Sequence, residues 1–197
     1  MGRCYSAAMS LRQPAIPDLW LISDARNDAA LDAVLAGLPR GSGLIFRHYH
    51  LAGAGREARF AVLARRARRF GHVAVFSGTM AEARRRGAAG AYGGAERLAK
   101  GGRGLRLVTV HSLRELAAAH RARADAVLLS PVFETRSHPG ARVLGPVRFR
   151  LIAARSRVPV IALGGMNSRR AKLAGARKWA AIDGITQKAT RRNPVDS

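Results

Sequence analysis

The stretch from residue 128 to residue 145, LLSPVFETRSHPGARVLG, contains the pattern that decides the fold of this chain. Its first two residues complete Ala126–Leu129, a short apolar run of the kind found in buried strands. The loop that follows is rich in polar donors, namely Thr135, Arg136, Ser137 and His138. Their hydroxyl, guanidinium and imidazole groups suit the oxygen atoms of a phosphate. We therefore predict a buried strand that ends in an anion-binding loop.

A second apolar run with a similar ending supports this interpretation. Val160–Leu163 leads directly into Gly164 and Gly165, where the absence of side chains leaves the backbone N–H groups open to a ligand. A solvated loop with a turn at Pro139–Gly140 is the simpler interpretation of the first loop taken alone. Two strands that both end in candidate phosphate donors favour the binding role.

The rest of the chain repeats the alternation of a buried strand with a helix. The predicted strands are Leu19–Ile22, Gly43–Phe46, Val73–Phe76, Gly90–Gly94, Leu105–Val110, Ala126–Leu129, Val158–Leu163 and Ala180–Ile182. Helical spacing and two capping boxes predict helices over residues 28–38, 57–70, from 79 onward, 116–123, 147–154 and 169–174. Continuous apolar strands that alternate with helices predict parallel pairing with both faces of the sheet covered.

Eight such units predict an α/β protein with one compact domain, a (β/α)8 TIM barrel. An open, doubly wound sheet is the alternative architecture. We expect an irregular lead-in over residues 1–17, the barrel over residues 18–186 and a polar tail over residues 187–197.

The charge of the chain bears on its partners. The net charge is +23, which suits nucleic acid, anionic lipid or phosphorylated small molecules. However, the basic residues are 31 Arg and only 4 Lys in a chain rich in Ala and Gly, a bias typical of high-GC codon usage. Aromatic residues make up 6%, too few for a platform that stacks single-stranded bases. We favour phosphorylated small molecules over specific nucleic-acid binding.

The location of the protein is predicted from what the sequence lacks. No apolar run approaches the roughly 18 residues that a membrane span needs, and no secretory signal is recognisable. Cys4 is the single cysteine, which excludes an intrachain disulfide. We expect a cytoplasmic protein without membrane contact, and a homo-oligomer is compatible with the sequence.

A barrel would bring the segments that follow its strands to one rim. That rim would carry Asp24, Arg47, Ser77, Tyr92, His111, Thr135 to His138, Gly164, Gly165 and Asp183. In this fold, the loops after strands seven and eight often hold a phosphate group. The candidate donors and the candidate glycine loop are therefore expected to face the same ligand.

These residues resemble a known family. The order VHS after strand five, SPVFETRSHPGA after strand six, PVIALGGMN at strand seven and WAAIDG at strand eight resembles the thiamine phosphate synthase/TenI family of small barrels. The resemblance extends from about Leu19 to Ile185. It implies a transferase that joins hydroxymethylpyrimidine diphosphate to thiazole phosphate with release of pyrophosphate, using magnesium. The TenI branch implies a thiazole phosphate tautomerase that needs no metal.

The resemblance also implies roles for individual residues. Arg47 matches the arginine that binds pyrophosphate, and His138 stands where a lysine binds the same group, so both are predicted to be catalytic. The residues predicted to bind substrate or phosphate are Thr109, Thr135, Arg136, Ser137, Gly164, Gly165, Ile182 and Asp183. Asp183 departs from the family, which has a small hydroxyl there, and its charge would repel a phosphate unless an Arg or a proton offsets it.

The expected metal site departs most from the family pattern. Ser77-Gly78 replaces the Asn-Asp pair after strand three, and Arg97 replaces the second aspartate, with Glu96 beside it. Magnesium prefers carboxylate oxygens, and neither expected carboxylate is present. We therefore assign no residue of this chain as a metal ligand. Whether Glu96 or Asp24 rebuilds a metal site is left open, as is the hypothesis that Arg97 neutralises the diphosphate.

The tautomerase alternative also departs from its pattern. The catalytic histidine of that branch falls at Pro131, so His138 or His111 would have to replace it. We expect a thiamine phosphate synthase-like transferase. A TenI-like tautomerase and a non-catalytic barrel that binds a phosphorylated ligand are the alternatives.

Overall fold

The computed structural model describes residues 15–136, 140 and 142–185. Eight parallel strands close into a barrel in which each strand pairs with its neighbours in sequence and β8 pairs with β1. The strands are β1 Leu19–Ile22, β2 Gly43–Phe46, β3 Val73–Ser77, β4 Gly90–Gly93, β5 Leu105–Val110, β6 Ala126–Leu129, β7 Val160–Ala162 and β8 Lys178–Ala181. This closure confirms the predicted TIM barrel and excludes the open sheet.

Helices follow every strand from β1 to β7. They are α1 Leu31–Gly37, α2 Gly53–Arg69, α3 Met80–Arg85, α4 Ala95–Leu98, α5 Leu113–Arg121, α6 Gly145–Ala153 and α7 Ser168–Ala174. A short 3-10 helix, Ala25–Ala30, precedes α1. In the part of the chain that the structure describes, no helix is long and apolar enough to cross a membrane.

The core has two layers that reflect the alternation of side chains along each strand. Inside the barrel lie residues such as Trp20, Leu107 and Leu128, and a second layer packs between the strands and the helices. Trp20 is fully buried, and a Cβ at Gly43 would lie 2.2 Å from its ring. The glycine that opens β2 is therefore required by the bulky indole on β1.

Hydrogen bonds define the starts of α3 and α5, and the first of them was predicted correctly. Thr79 and Glu82 form a reciprocal capping box at α3. Ser112 accepts a hydrogen bond from the Glu115 amide, but the Glu115 carboxylate accepts from the amide of His111 rather than from that of Ser112. Ser112 is thus the N-cap and the helix begins at Leu113, so the prediction of a start at residue 116 was wrong.

The last strand of the barrel, β8, differs most from the prediction. β8 is Lys178–Ala181 rather than Ala180–Ile182, because Trp179 pairs with Leu19 and its amide donates to the carbonyl of Asp18. The side-chain amine of Lys178 donates a hydrogen bond to the carboxylate of Asp18. Residues 15–17 form no helix or strand, and the remainder of the predicted lead-in and tail lies outside the described residues.

Candidate functional site

A cavity opens at the carboxyl ends of β6, β7 and β8. Its volume is about 830 Å³, and we call it the β6–β8 cradle. Its lining includes Glu134, Thr135, Arg136, Gly164, Gly165, Met166, Asn167, Arg169, Arg170, Lys172, Leu173, Ile182, Asp183 and Gly184. Six residues that the sequence singled out therefore meet in one cavity, namely Thr135, Arg136, Gly164, Gly165, Ile182 and Asp183.

Close backbone contact explains the glycine pair of the cradle. Gly164 and Gly165 have φ angles of +97° and +59°, which favour glycine. A Cβ at Gly164 would lie 2.7 Å from the Cα atom of Pro131, and one at Gly165 would lie 2.2 Å from the carbonyl oxygen of Glu134. The amide of Phe133 donates to the carbonyl of Gly164 at 3.1 Å, so the loops after β6 and β7 are bonded to each other.

The charge of the cradle is mainly positive. Its lining contains four cationic side chains, those of Arg136, Arg169, Arg170 and Lys172, and two acidic ones, those of Glu134 and Asp183. Arg170 donates to the carbonyl oxygen of Gly165 at 2.7 Å and lies 5.1 Å from the ring centre of Phe133. Sequence reasoning missed Arg170 and Lys172, although both follow the glycine loop in the segment NSRRAK.

Asp183 is the exception in this positive surface. Its carboxylate lies 3.4 Å from a guanidinium nitrogen of Arg26, so a cation offsets part of its charge, as the sequence analysis required. Two further predicted residues, Ser137 and His138, lie outside the described residues. Their proposed roles stay predictions.

Arg47 is not among the described residues that line the cradle. It lies at the end of β2, and its guanidinium donates to the Asp24 carboxylate at 2.7 Å. Asp24 also accepts from Arg26 at 2.9 Å. Burial alone would raise the pKa of Asp24, but the hydrogen bonds from Arg26 and Arg47 outweigh it and lower the pKa to about 2. The predicted pyrophosphate arginine is therefore held by an ionised carboxylate of its own chain.

Thr109 also lies apart from the cradle. It is on β5, where it is partly buried and acts on the Tyr92 phenol. Burial raises the pKa of Tyr92, and Thr109 only partly opposes this effect. The phenol of Tyr92 therefore stays protonated inside the barrel at neutral pH.

The ends of β3 and β4 do not fit a magnesium ion. The hydroxyl of Ser77 bonds the phenol of Tyr49 at 2.7 Å, and its carbonyl accepts from Arg56 at 2.8 Å. The carboxylate of Glu82 accepts from the amide and hydroxyl of Thr79, which lower its pKa against the effect of burial. The guanidinium of Arg56 and the helix-capping carboxylate of Glu82 thus lie near the end of β3, where the family pattern places metal ligands.

The two carboxylates that the sequence analysis left open as metal ligands have defined surroundings. Asp24 is bound to Arg26 and Arg47, and Glu96 is exposed on α4 beside the exposed Arg97. No group of three His, Cys, Asp or Glu side chains suited to a metal occurs among the described residues. The donor set therefore disagrees with a resident magnesium ion.

Two histidines of the rim have defined surroundings. His111, at the end of β5, lies with Nδ1 2.7 Å from the carbonyl oxygen of Ser130, so Nδ1 donates and Nε2 carries the basic lone pair. His48 is fully buried between Ser23 and Asp28, at 2.7 Å from each. Sequence reasoning gave no role to His48, because the apolar run that would have signalled its burial ends at Phe46.

Fold and site together define a small (β/α)8 barrel with a cationic glycine-loop cradle at one side of its mouth. Residues 102–185 match the family model described as thiamine monophosphate synthase. Over 78 residues the chain is 33% identical to the protein named "Putative thiamine-phosphate synthase 2" of Aquifex aeolicus, a match that covers 40% of this chain and 42% of that protein.

Similarity to solved structures extends over more of the chain than the sequence matches do. Thiamine phosphate pyrophosphorylase from Pyrococcus furiosus has a TM-score of 0.70 at 19% identity, covering 90% of this chain and 93% of that one. The enzyme of the same name from Bacteroides thetaiotaomicron gives 0.55 at 16% identity, covering 87% and 85%. At these identities the likeness shows the fold. The similarity to the thiamine monophosphate synthase family model is confined to residues 102–185.

Proposed function

We propose that this barrel is a thiamine phosphate synthase-like protein that binds a thiazole phosphate in the β6–β8 cradle. The observation that carries the proposal is the cradle itself, where two loops meet at Gly164 and Gly165 beneath four cationic side chains. Charged hydrogen bonds from Arg and Lys are the strong ones for phosphate oxygens. A mainly cationic cavity with bare backbone at its floor suits a phosphate monoester.

The proposed reaction joins this ligand to hydroxymethylpyrimidine diphosphate. The carbon–oxygen bond to the diphosphate breaks, its electron pair leaves with pyrophosphate, and the thiazole nitrogen supplies the pair for the new bond. Negative charge therefore develops on the leaving group, where positive donors lower the barrier. Arg47 is the proposed donor, once the incoming anion displaces Asp24 from it.

A metal has no part in the steps proposed here, because the donor set at β3 and β4 does not fit one. We propose that the chain's own guanidinium groups provide the positive charge near the leaving group. Arg56, which donates to the carbonyl of Ser77 and lies 4.4 Å from the ring centre of Phe76, is a cation at the end of β3. Thr109 and Tyr92 would provide hydroxyl groups inside the mouth.

One observation favours a second candidate, a tautomerase that moves a proton on a thiazole phosphate carboxylate. His111 presents a basic Nε2 because its Nδ1 donates to Ser130. A neutral imidazole held in one tautomer is suited to act as a general base. This candidate uses the same phosphate cradle and differs only in the group that does the chemistry.

The two activities are separated by one pair of assays on the same protein. Formation of thiamine phosphate from the two substrates, in buffer with a chelator and then with magnesium, tests the synthase. Deuterium uptake by the thiazole phosphate carboxylate in D2O without metal tests the tautomerase, with His111→Gln expected to abolish it. Saturable binding of thiazole phosphate without either reaction would leave a phosphate-ligand-binding barrel, and no binding would overturn the proposal.

Cytoplasmic location and self-association are not needed for this function. We retain both as predictions, together with phosphorylated small molecules as the partners of the site. Size-exclusion chromatography with light scattering would give the oligomeric state.

A further inference from the structure

A buried polar chain lies behind the rim at the ends of β1 and β2. Ser23 and His48 are fully buried, and their side chains are joined by a hydrogen bond of 2.7 Å between Oγ and Nδ1. On its other side, His48 Nε2 lies 2.7 Å from the Asp28 carboxylate. Ser23 Oγ also accepts the backbone N–H of Arg47 at 2.9 Å. The chain therefore begins at the residue proposed to bind the diphosphate and ends at an acid.

The donors and acceptors of this chain have one consistent arrangement. The Asp28 carboxylate only accepts when ionised, so His48 Nε2 must carry a proton and donate to it. A neutral ring then leaves Nδ1 as an acceptor, and the hydroxyl of Ser23 donates to it. The remaining lone pairs of Ser23 are free to accept from Arg47.

The state of His48 and Asp28 agrees with this arrangement. Burial lowers the pKa of His48, and the bond to Asp28 only partly opposes the effect, so the ring is neutral at pH 7. Burial would raise the pKa of Asp28, but the bonds from His48 and Arg59 prevail and lower it. A neutral imidazole between a hydroxyl and a carboxylate leaves every polar atom of the chain with a partner.

The neighbours of His48 fix it in place. Its ring stacks on Phe46 with centroids 4.8 Å apart and planes inclined by 8°. Asp28 is itself held by Arg59 Nε at 2.8 Å. A histidine used only for packing needs no connection to the binding residue. The link through Ser23 to the Arg47 backbone is what distinguishes His48 from an ordinary core side chain.

We propose that His48 is a positioning residue for Arg47. Through Ser23 it fixes the backbone from which the Arg47 guanidinium enters the mouth, and so it sets the affinity of that side of the mouth for a phosphate or diphosphate group. The effect on affinity rests on the proposed function, whereas the effect on the Arg47 backbone does not.

The first test is hydrogen exchange at the Arg47 amide, measured by NMR without ligand. His48→Phe preserves the size and the stacking of the ring but removes both hydrogen bonds. We expect exchange at Arg47 to become at least about tenfold faster in this variant, and likewise in Ser23→Ala. The amide of residue 23, which donates to the carbonyl of Ile45, is the internal control and should change little.

A conservative variant tests the order of the chain. His48→Asn places an amide oxygen near the Nδ1 position, so it retains the acceptor for Ser23 and loses the contact with Asp28. Exchange at Arg47 should lie between that of the wild type and that of His48→Phe. Unchanged exchange in both His48→Phe and Ser23→Ala would overturn the proposal.

The second test is a double-mutant cycle on the binding of inorganic pyrophosphate. His48→Phe should weaken binding about tenfold in the wild-type background and less than about twofold when Arg47 is already alanine. Equal losses in both backgrounds would mean that His48 is merely structural, which would overturn positioning. Faster exchange at Arg47 together with pyrophosphate binding that is insensitive to Arg47→Ala would sustain positioning and refute the proposed role of Arg47.

Discussion

The two sides of the barrel mouth differ in what their charged groups contact. On the β6–β8 side, Arg136 and Lys172 border an open cavity of about 830 Å³. On the side of β1 and β2, Arg47 is bonded to Asp24, and Arg56 is bonded to backbone carbonyl groups. One fold thus combines a side whose cations face a cavity with a side whose cations are already satisfied.

The match to the family model divides the chain in a similar way. Residues 102–185 contain β5 to β8 and the whole lining of the cradle, whereas Arg47, Ser77 and Arg97 lie before them. The side with a recognisable sequence is also the side with an open cavity. Phosphate binding and diphosphate chemistry can therefore be tested as separate properties of this barrel.

The largest effect is expected from filling the cradle floor. Gly165→Ala places a Cβ about 2.2 Å from the Glu134 carbonyl at a φ of +59°, so the loops after β6 and β7 must separate. We expect thiazole phosphate binding to fall at least about a hundredfold, with a lower melting temperature. Gly41→Ala is the matched control, since its φ is +82° but no atom lies within 4 Å of the added Cβ. Equal losses in the two variants would assign the effect to backbone strain alone.

Removing Arg47 tests the opposite side of the mouth. Arg47→Ala should lower the turnover of a synthase reaction at least about tenfold, because a donor to the leaving pyrophosphate is lost. Thiazole phosphate binding in the cradle should be unaffected. Arg40→Ala, at an exposed position before β2, is the control for loss of a guanidinium. An unchanged rate would remove Arg47 from the mechanism.

Removing the charge of Asp183 is expected to have a smaller effect, and to strengthen rather than weaken thiazole phosphate binding. Asp183→Asn removes a negative charge from the cradle lining, so thiazole phosphate affinity should rise about threefold to tenfold at low salt. Asp18→Asn, which alters an ion pair with Lys178 at the other end of the barrel, should leave affinity unchanged. Weaker binding in Asp183→Asn would show that the carboxylate, with Arg26, organises the site instead.

The smallest effect concerns stability in acid. The pKa of Asp24 is about 2 in the folded protein against an ordinary value of 3.8, so its contribution is present above about pH 4 and lost as pH falls towards 2. The contribution is at most about 2 kcal/mol. The difference in unfolding free energy between wild type and Asp24→Asn should shrink over that interval, as measured by urea denaturation. A constant difference would mean that the Asp24 ion pairs add nothing to stability.

The sequence predicted the features that depend on local pattern. Buried apolar runs such as Leu105–Val110 gave the strands, and Thr79 with Glu82 gave a helix start, because both signals lie within a few residues. The cradle was predicted in part, since the ends of parallel strands meet at one rim. Lys178 and Trp179 were missed as strand residues because only their pairing with Ile161 of β7 and Leu19 of β1 identifies them as part of the sheet.

Contacts between distant residues could not be predicted in this way. Asp24 and Arg47 are separated by 23 positions, and their ion pair depends on the register of β1 against β2. The burial of His48 depends on Asp28 and Phe46. The Asp28 carboxylate and the Phe46 ring contact the imidazole only in the closed barrel. Such contacts require the three-dimensional structure.

The most direct test of the central claim is calorimetric titration of the protein with thiazole phosphate in the presence of a chelator, beside the same titration of Gly165→Ala. If the β6–β8 cradle is the phosphate site, the wild type will show saturable binding at one site per chain without magnesium, and the variant will bind at least about a hundredfold more weakly. Absence of binding by the wild type, or equal binding by the two proteins, would contradict the account.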